Sequence, residues 1–288
     1  LNVKLANLDG RATVLTATGG IDVARASGDR FGPDVQGLYD DWPAFRAFAD
    51  GLGEGLGEGL DGPVGAPVDE LLLGPPVPRP GQVFAIGLNY RAHAEELGIE
   101  MPSIPATFTK FPASINGPFA DIEIPGPTTD WEVELVVVIG RPADRVAEAD
   151  AWHHVAGLTV GQDISERTVQ FAAGNQFSLG KSYRGFAPIG PWLVTPDEFA
   201  DPDDLGLGCR VDGETVQDSR TSDLIFAIAP LIAELSAVLP LRPGDLIFTG
   251  TPAGVGMGRQ PPRFLQPGEV LETWIEGIGT MRNHLIAP

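Results

Sequence analysis

Apolar residues along this chain gather into short runs bounded by Gly, Pro or Asp, at 83–86, 133–139, 158–160, 192–194, 246–249 and 270–275. Runs of that length between turn residues predict β-strands. Helical spacing is rarer. It predicts helices at 92–97 and 165–172, and a long apolar one after Asp223, a candidate N-cap. Strict β-α-β alternation is missing, which argues against a doubly wound nucleotide-binding sheet and for a β-rich α+β fold.

Residues 1 to about 50 predict a smaller unit, with a hairpin across Asp9-Gly10-Arg11 and a short helix after Tyr39-Asp40-Asp41-Trp42-Pro43. The Gly-Leu-Gly-Glu repeat over 51–59 predicts a flexible loop, because every second residue adds backbone entropy. Pro75-Pro76-Val77-Pro78-Arg79-Pro80-Gly81 interrupts helix and sheet alike. The expected division is a small N-terminal domain with its linker over 1–75 and a larger domain over 76–288.

With 288 residues, 43% of them hydrophobic, the chain can bury a sizeable core. The 37 glycines and 27 prolines suit many turns between short strands and do not suit a helical bundle. Nineteen basic against 39 acidic side chains give a net charge of −20, which argues against nucleic acid or an anionic membrane surface as partner. The lone Cys209 excludes an internal disulfide and a thiolate metal site, so a reducing cytoplasm is expected. No export signal is visible at Leu1-Asn2-Val3-Lys4-Leu5. The apolar stretch 224–241 holds Glu234, Ser236, Pro230 and Pro240, and predicts a core helix rather than a membrane span.

The most informative segment is Asp130-Trp131-Glu132-Val133-Glu134-Leu135. Residues two apart on a strand share a face, so Glu132 and Glu134 would project side by side from an otherwise apolar strand. Two buried carboxylates repel each other and lose solvation, so one must take up a proton or a cation must sit between them. A half-exposed edge strand with solvated glutamates accounts for the same spacing. Asp163, at the end of 155–162, offers a third carboxylate; it could equally cap the helix near Ser165. Three oxygen ligands without His or Cys suit a hard cation such as Mg²⁺, Mn²⁺ or Ca²⁺.

His93 and Glu96 are three apart on an expected helix and can share a proton, as general-base chemistry requires, although surface His–acid pairs without a role are common. Lys181 follows Gly180 and could hold a substrate carboxylate or a developing enolate; a solvated loop lysine is the plain alternative. Arg167 and Gln170 follow Asp163 by four and seven, on the side of that acid if the segment is helical. The loop Thr249-Gly250-Thr251-Pro252-Ala253-Gly254-Val255-Gly256-Met257-Gly258 lacks the Gly-Lys-Ser/Thr ending of a nucleotide P-loop. Its N–H groups and the Thr251 hydroxyl could still bind a carboxylate, or the loop could be a plain turn. His153, His154 and His284 receive no role.

Taken in order, Ile86-Gly87-Leu88-Asn89-Tyr90 with His93 and Glu96, Phe108-Thr109-Lys110, Trp131-Glu132-Val133-Glu134-Leu135, Gln162-Asp163-Ile164-Ser165-Glu166-Arg167, Gly180-Lys181-Ser182 and Thr249-Gly250-Thr251-Pro252 resemble the fumarylacetoacetate hydrolase family over roughly residues 80–288. The resemblance implies a mixed β-sandwich or roll, a homodimer, and Mg²⁺ or a similar ion on Glu132, Glu134 and Asp163. It implies a water-activating dyad of His93 and Glu96, and a substrate pocket lined by Lys181, Gln170, Arg167 and Thr251. Animal fumarylacetoacetate hydrolases carry a further ligand Asp seven residues before the dyad histidine. This chain has Ile86 there, which implies a three-carboxylate site and a substrate other than fumarylacetoacetate.

The activity so implied is metal-dependent C–C hydrolysis of an acylpyruvate-like 2,4-diketo acid, such as a diketo-deoxy sugar acid, to pyruvate and a carboxylic acid. The alternatives are isomerisation or decarboxylation of a 2-oxo or 2-hydroxydienoic dicarboxylate, such as oxaloacetate or hydroxyheptadienedioate, and a non-catalytic metal-binding structural protein. The expected partner is a small 2-oxo acid.

Overall fold

The computed structural model describes residues 3–17, 19–54, 68–98 and 100–288. Its strands form two main sheets packed face to face, as the β-rich pattern predicts, and a two-stranded pair of Thr129–Asp130 with Ser165–Glu166. The large, 11-stranded sheet runs Gly19–Asp22, Arg11–Thr16, Lys4–Leu8, Ala187–Val194, Val155–Gln162, Val133–Ile139, Leu246–Phe248, Val83–Gly87 and Ala106–Thr109, with two short strands off this path. The smaller runs Glu214–Arg220, Gly206–Val211, Val270–Ile275, Gly279–Ile286 and Ile122–Glu123. Most neighbours are antiparallel, but Leu246–Phe248 lies parallel to Val83–Gly87, so the sheet is mixed.

Val133–Ile139 is a central strand, not an edge. It pairs with Val155–Gln162 on one side and Leu246–Phe248 on the other, and all seven of its residues are buried. Val133, Leu135, Val137 and Ile139 enter the core between the two sheets, beside Leu207, Leu271 and Met281. Val136 and Val138 enter a second core, where Trp42 and Phe45 of the helix Trp42–Glu54 cover the opposite face. Burial on both faces explains the unbroken apolar run, and it excludes the solvated edge-strand reading of Glu134.

The N-terminal hairpin forms where expected: Leu8 pairs with Arg11, and Asp9 (φ 50°) and Gly10 (φ 76°) supply the two left-handed positions that such a turn requires. Lys4–Leu8 then pairs with Ala187–Val194, so these first strands extend the large sheet. Three local expectations fail. Gly51–Glu54 closes the helix Trp42–Glu54 instead of opening a loop, and residues 55–59 of that repeat lie outside the described residues. The helix after Asp223 begins only at Ile228, with Pro230 in its first turn where a missing N–H is harmless. Asp163 caps nothing; Glu166 caps the helix Arg167–Ala172 by accepting from the Val169 N–H at 2.8 Å. Among the described residues, no helix is long and apolar enough to cross a membrane.

Candidate active site

Glu134 is the second residue of the central strand and Glu132 directly precedes it, and the antiparallel register places Glu134 opposite Gly161, two residues before Asp163. The Asp163 N–H donates to Glu132 O at 2.9 Å, which ties the two chain segments together. One ligand oxygen from each of Glu132, Glu134 and Asp163 lies within 4.8 Å of the others, and all three residues are buried.

Lysines reach this cluster from two directions. Lys181 Nζ donates to Glu132 Oε2 at 2.8 Å, to Asp163 Oδ2 at 2.6 Å and to Ser165 Oγ at 2.9 Å. Lys110 Nζ donates to Asp163 Oδ1 at 2.6 Å and to the carbonyl of Lys181. Gly180 permits the approach, since a Cβ there would lie 2.3 Å from the backbone nitrogen of Gln170. Its neighbour is therefore the helix Arg167–Ala172. Arg167 closes the other side, with Nη1 2.7 Å from Glu132 Oε1 and 2.9 Å from Gln170 Oε1. Its Nε and Nη2 donate to Asp130 Oδ2 at 2.9 and 2.7 Å.

The charges explain how the carboxyls differ. Burial pushes Glu132 up, but Lys181 and Arg167 outweigh it and hold this carboxyl down at about 2. Glu134 has no such partner. Burial, then the charges of Asp163 and Glu132, push its carboxyl well above the usual range, against the charge of Lys181 and one hydrogen bond from the Gly250 N–H at 2.7 Å. Four buried acids, Asp130, Glu132, Glu134 and Asp163, thus meet three buried cations, Lys110, Arg167 and Lys181. The uncompensated charge falls on Glu134. An all-oxygen donor set one positive charge short fits a hard divalent cation.

The Gly-rich loop after Leu246–Phe248 does bind carboxylates through its backbone, but they are the protein's own. Gly250 N–H donates to Glu134, Gly254 N–H to Glu96 Oε1 at 3.1 Å, and Gly256 and Met257 N–H to the two Asp130 oxygens at 2.7 and 3.0 Å. Thr251 is buried on this loop, and its Oγ1 accepts from Gln217 Nε2 at 2.9 Å.

His93 and Glu96 share one face of the helix Arg91–Leu97, with His93 Nδ1 3.0 Å from Glu96 Oε2. Burial pushes the Glu96 carboxyl up, yet the hydrogen bonds from His93 and the Gly254 N–H hold it below the usual value. The His93 ring lies close enough to the cluster to influence Glu132 electrostatically.

The structure therefore brings the nine residues singled out in the sequence into one connected network. The guanidinium of Arg167, expected to line a substrate pocket, bonds to Asp130, Glu132 and Gln170. Sequence reasoning quoted Lys110, Asp130 and Gln162 within its motifs but gave none of them a role. Asp130 is adjacent to the Glu132 motif, so a third acid there was visible; Lys110 and Gln162 carried no spacing signal. Gln162 Oε1 accepts the Glu132 N–H at 2.8 Å and so aims that ligand.

A model of the fumarylacetoacetate (FAA) hydrolase C-terminal domain matches residues 82–286, and the chain belongs to that family of enzymes. The mitochondrial oxaloacetate tautomerase of Rattus norvegicus is 44% identical over 213 residues, covering 73% of this chain and 68% of its own. Two mycobacterial crystal structures span almost the whole chain. One is a protein of Mycobacterium smegmatis provisionally named HpcE, 52% identical with a TM-score of 0.91 over 99% of each chain. The other is a probable 2-hydroxyhepta-2,4-diene-1,7-dioate isomerase of Mycobacterium abscessus, 31% identical with a TM-score of 0.82 over 100% of this chain and 99% of its own. A maleylpyruvate hydrolase from Sphingobium sp. SYK-6, in complex with manganese(II) and pyruvate, is 28% identical with a TM-score of 0.78 over 99% of each chain.

Proposed function

We propose that this chain is a divalent-cation-dependent isomerising enzyme that moves a proton between carbon and oxygen of a short 2-oxo dicarboxylate, with keto–enol interconversion of oxaloacetate as its reaction. The observation that carries this reading is one acid–base pair, His93 with Glu96, set against a carboxylate cluster that is one positive charge short. The relatives named as an oxaloacetate tautomerase and a dienedioate isomerase support it. They favour it over hydrolysis, which the motifs alone had put first.

Glu96, kept ionised, holds the Nδ1 proton of His93 and leaves Nε2 with a lone pair. That nitrogen takes a proton from the carbon beside the 2-oxo group, and the resulting imidazolium delivers it to the enolate oxygen. No water is consumed and no C–C bond breaks. Lys181 stays charged among Asp163 and Glu132 and lowers the cost of an anion alongside. When held by Glu132, Glu134 and Asp163, a hard cation such as Mg²⁺ or Mn²⁺ would supply Lewis-acid polarisation of the 2-oxo carbonyl.

Hydrolysis of an acylpyruvate is the second reading, favoured by the maleylpyruvate hydrolase likeness. There, the same His93 would take its proton from water. One assay separates them. The chain, with Mg²⁺ or with EDTA, is mixed with oxaloacetate and with acylpyruvates while enol absorbance and pyruvate are followed. Faster loss of enol oxaloacetate without pyruvate supports tautomerisation; pyruvate released from acylpyruvates in step with a carboxylic acid replaces it with hydrolysis, and pyruvate from oxaloacetate with decarboxylation.

A further inference from the structure

We infer that Gln217, which lies in the smaller sheet, is a positioning residue that turns the Thr251 hydroxyl into a dedicated hydrogen-bond donor toward the anionic end of the substrate. The inference rests on the 2-oxo acid reading above.

Gln217 faces the site because of an irregularity in its strand. Along Glu214–Arg220 the pairing slips, with Cys209 opposite Gln217 but Arg210 opposite Thr215, so Val216 is an extra residue. Such a bulge re-aims the side chains around it. Here it buries both Val216 and Gln217 where alternation would expose one of them. The strand carbonyl at the bulge is also what the Gly-rich loop packs on: a Cβ on Gly254 would lie 2.3 Å from Val216 O.

The buried amide then uses its full hydrogen-bonding capacity. Its oxygen accepts the Val133 N–H at 2.9 Å, between the two glutamates of the cluster, and the Cys209 thiol at 3.2 Å. Its nitrogen donates to Thr251 Oγ1 at 2.9 Å and to Pro252 O at 2.8 Å. Neither end can be swapped, because an amide nitrogen cannot accept from Val133 and an amide oxygen cannot donate to Pro252. Thr251 Oγ1 is thereby fixed as an acceptor from Gln217. Among the described residues, no acceptor takes the proton of that hydroxyl. Thr251 shares its loop with Gly250, which holds Glu134, and Gly254, which holds Glu96. A hydroxyl donor held there is suited to an anionic oxygen.

The test is a double-mutant cycle read by calorimetry of oxalate binding to the Mg²⁺-loaded full chain. Oxalate presents two adjacent oxyanions and does not react. Gln217→Glu keeps the acceptor for Val133 but, ionised, draws the Thr251 proton onto itself. Expected is a loss of about tenfold in oxalate affinity, the size of one hydrogen bond to a charged group. Thr251→Val should lose about as much, and Gln217→Glu should cost nothing further in the Thr251→Val background. Additive losses overturn the role of Gln217, since a general electrostatic or structural effect would persist without the hydroxyl. Gln217→Met, which removes the donor without adding charge, is read in the same cycle should the glutamate variant not fold. Failure of the wild-type chain to bind oxalate with Mg²⁺ present overturns the 2-oxo acid reading itself, and this inference with it.

Discussion

Lys181 Nζ lies 2.6 Å from Asp163 Oδ2, with both side chains buried. The ammonium occupies the edge of the carboxylate cluster and competes for the oxygens that a metal would use. Removing it has two opposite consequences. Lys181→Met should lower turnover by about a hundredfold or more, through lost stabilisation of the developing anion. It should also raise Mg²⁺ affinity, and in EDTA destabilise the fold by about 3–5 kcal/mol, the usual cost of breaking a buried ion pair. Urea unfolding with Mg²⁺ and with EDTA checks this. Equal destabilisation in both would contradict a shared cation site.

Glu134 carries the cluster's uncompensated charge, so pH should act on the metal-free protein through it. Its folded carboxyl is raised above the ordinary value of 4.5 by burial and by Asp163 and Glu132. A raised value means that the folded state holds the proton more tightly. The contribution is fully present below the ordinary value and is lost as pH rises through the raised one. Glu134→Gln removes that loss. In EDTA the variant should be more stable than the parent at neutral pH, with the advantage fading toward acid. With Mg²⁺ the order should reverse, because affinity falls by at least about tenfold when a ligand is lost. Denaturation at pH 4 and pH 8, with and without the metal, gives all four values.

The part of this site that rests on local periodicity was legible in the sequence. Glu134 lies on the strand Val133–Ile139 with Glu132 in the extended residue just before it, and His93 and Glu96 are three apart on one helix, so local spacing places each pair together. The edge-strand alternative could not be dismissed from spacing, because what settles it is pairing on both sides by segments as distant as 155–162 and 246–248. Lys110, although part of the Phe108-Thr109-Lys110 motif, could be given no role for the same reason. It reaches Asp163 only because the short edge strand Ala106–Thr109 delivers it to the end of the sheet. The late start of the helix at Ile228 has a local cause that composition hid: Asp223 is already engaged, its carboxylate accepting the Ala92 N–H at 3.3 Å.

His93 should be separable from metal binding. It lies on the helix Arg91–Leu97, and its polar partner is Glu96. His93→Ala should lower turnover by about 10²-fold or more, the usual contribution of a positioned acid–base group, while leaving Mg²⁺ affinity within about twofold. Glu96→Gln should cost less, since it keeps a hydrogen-bonding partner for the ring but loses the charge that fixes its tautomer. Calorimetric Mg²⁺ titration beside the turnover assay reads both. A parallel fall in metal affinity would place His93 among the ligands instead.

Asp130 should matter to stability whether or not metal is present, which sets it apart from the rest of the cluster. Its two oxygens accept from Trp131, Gly256 and Met257 N–H at 2.9, 2.7 and 3.0 Å, and from the Arg167 guanidinium. The loop is pinned so closely that a Cβ on Gly256 would lie 1.9 Å from Arg263 O. No metal can replace those contacts, because every group facing Asp130 is a donor. Asp130→Ala should therefore destabilise the chain by about 3–5 kcal/mol in EDTA and in Mg²⁺ alike, by leaving Nε and Nη2 of the buried Arg167 and three backbone N–H groups without their acceptor. Asp130→Asn, which keeps an acceptor but not the charge, should fall between. Recovery of Asp130→Ala by Mg²⁺ would mean that this acid belongs to the cation site and not to the scaffold behind it.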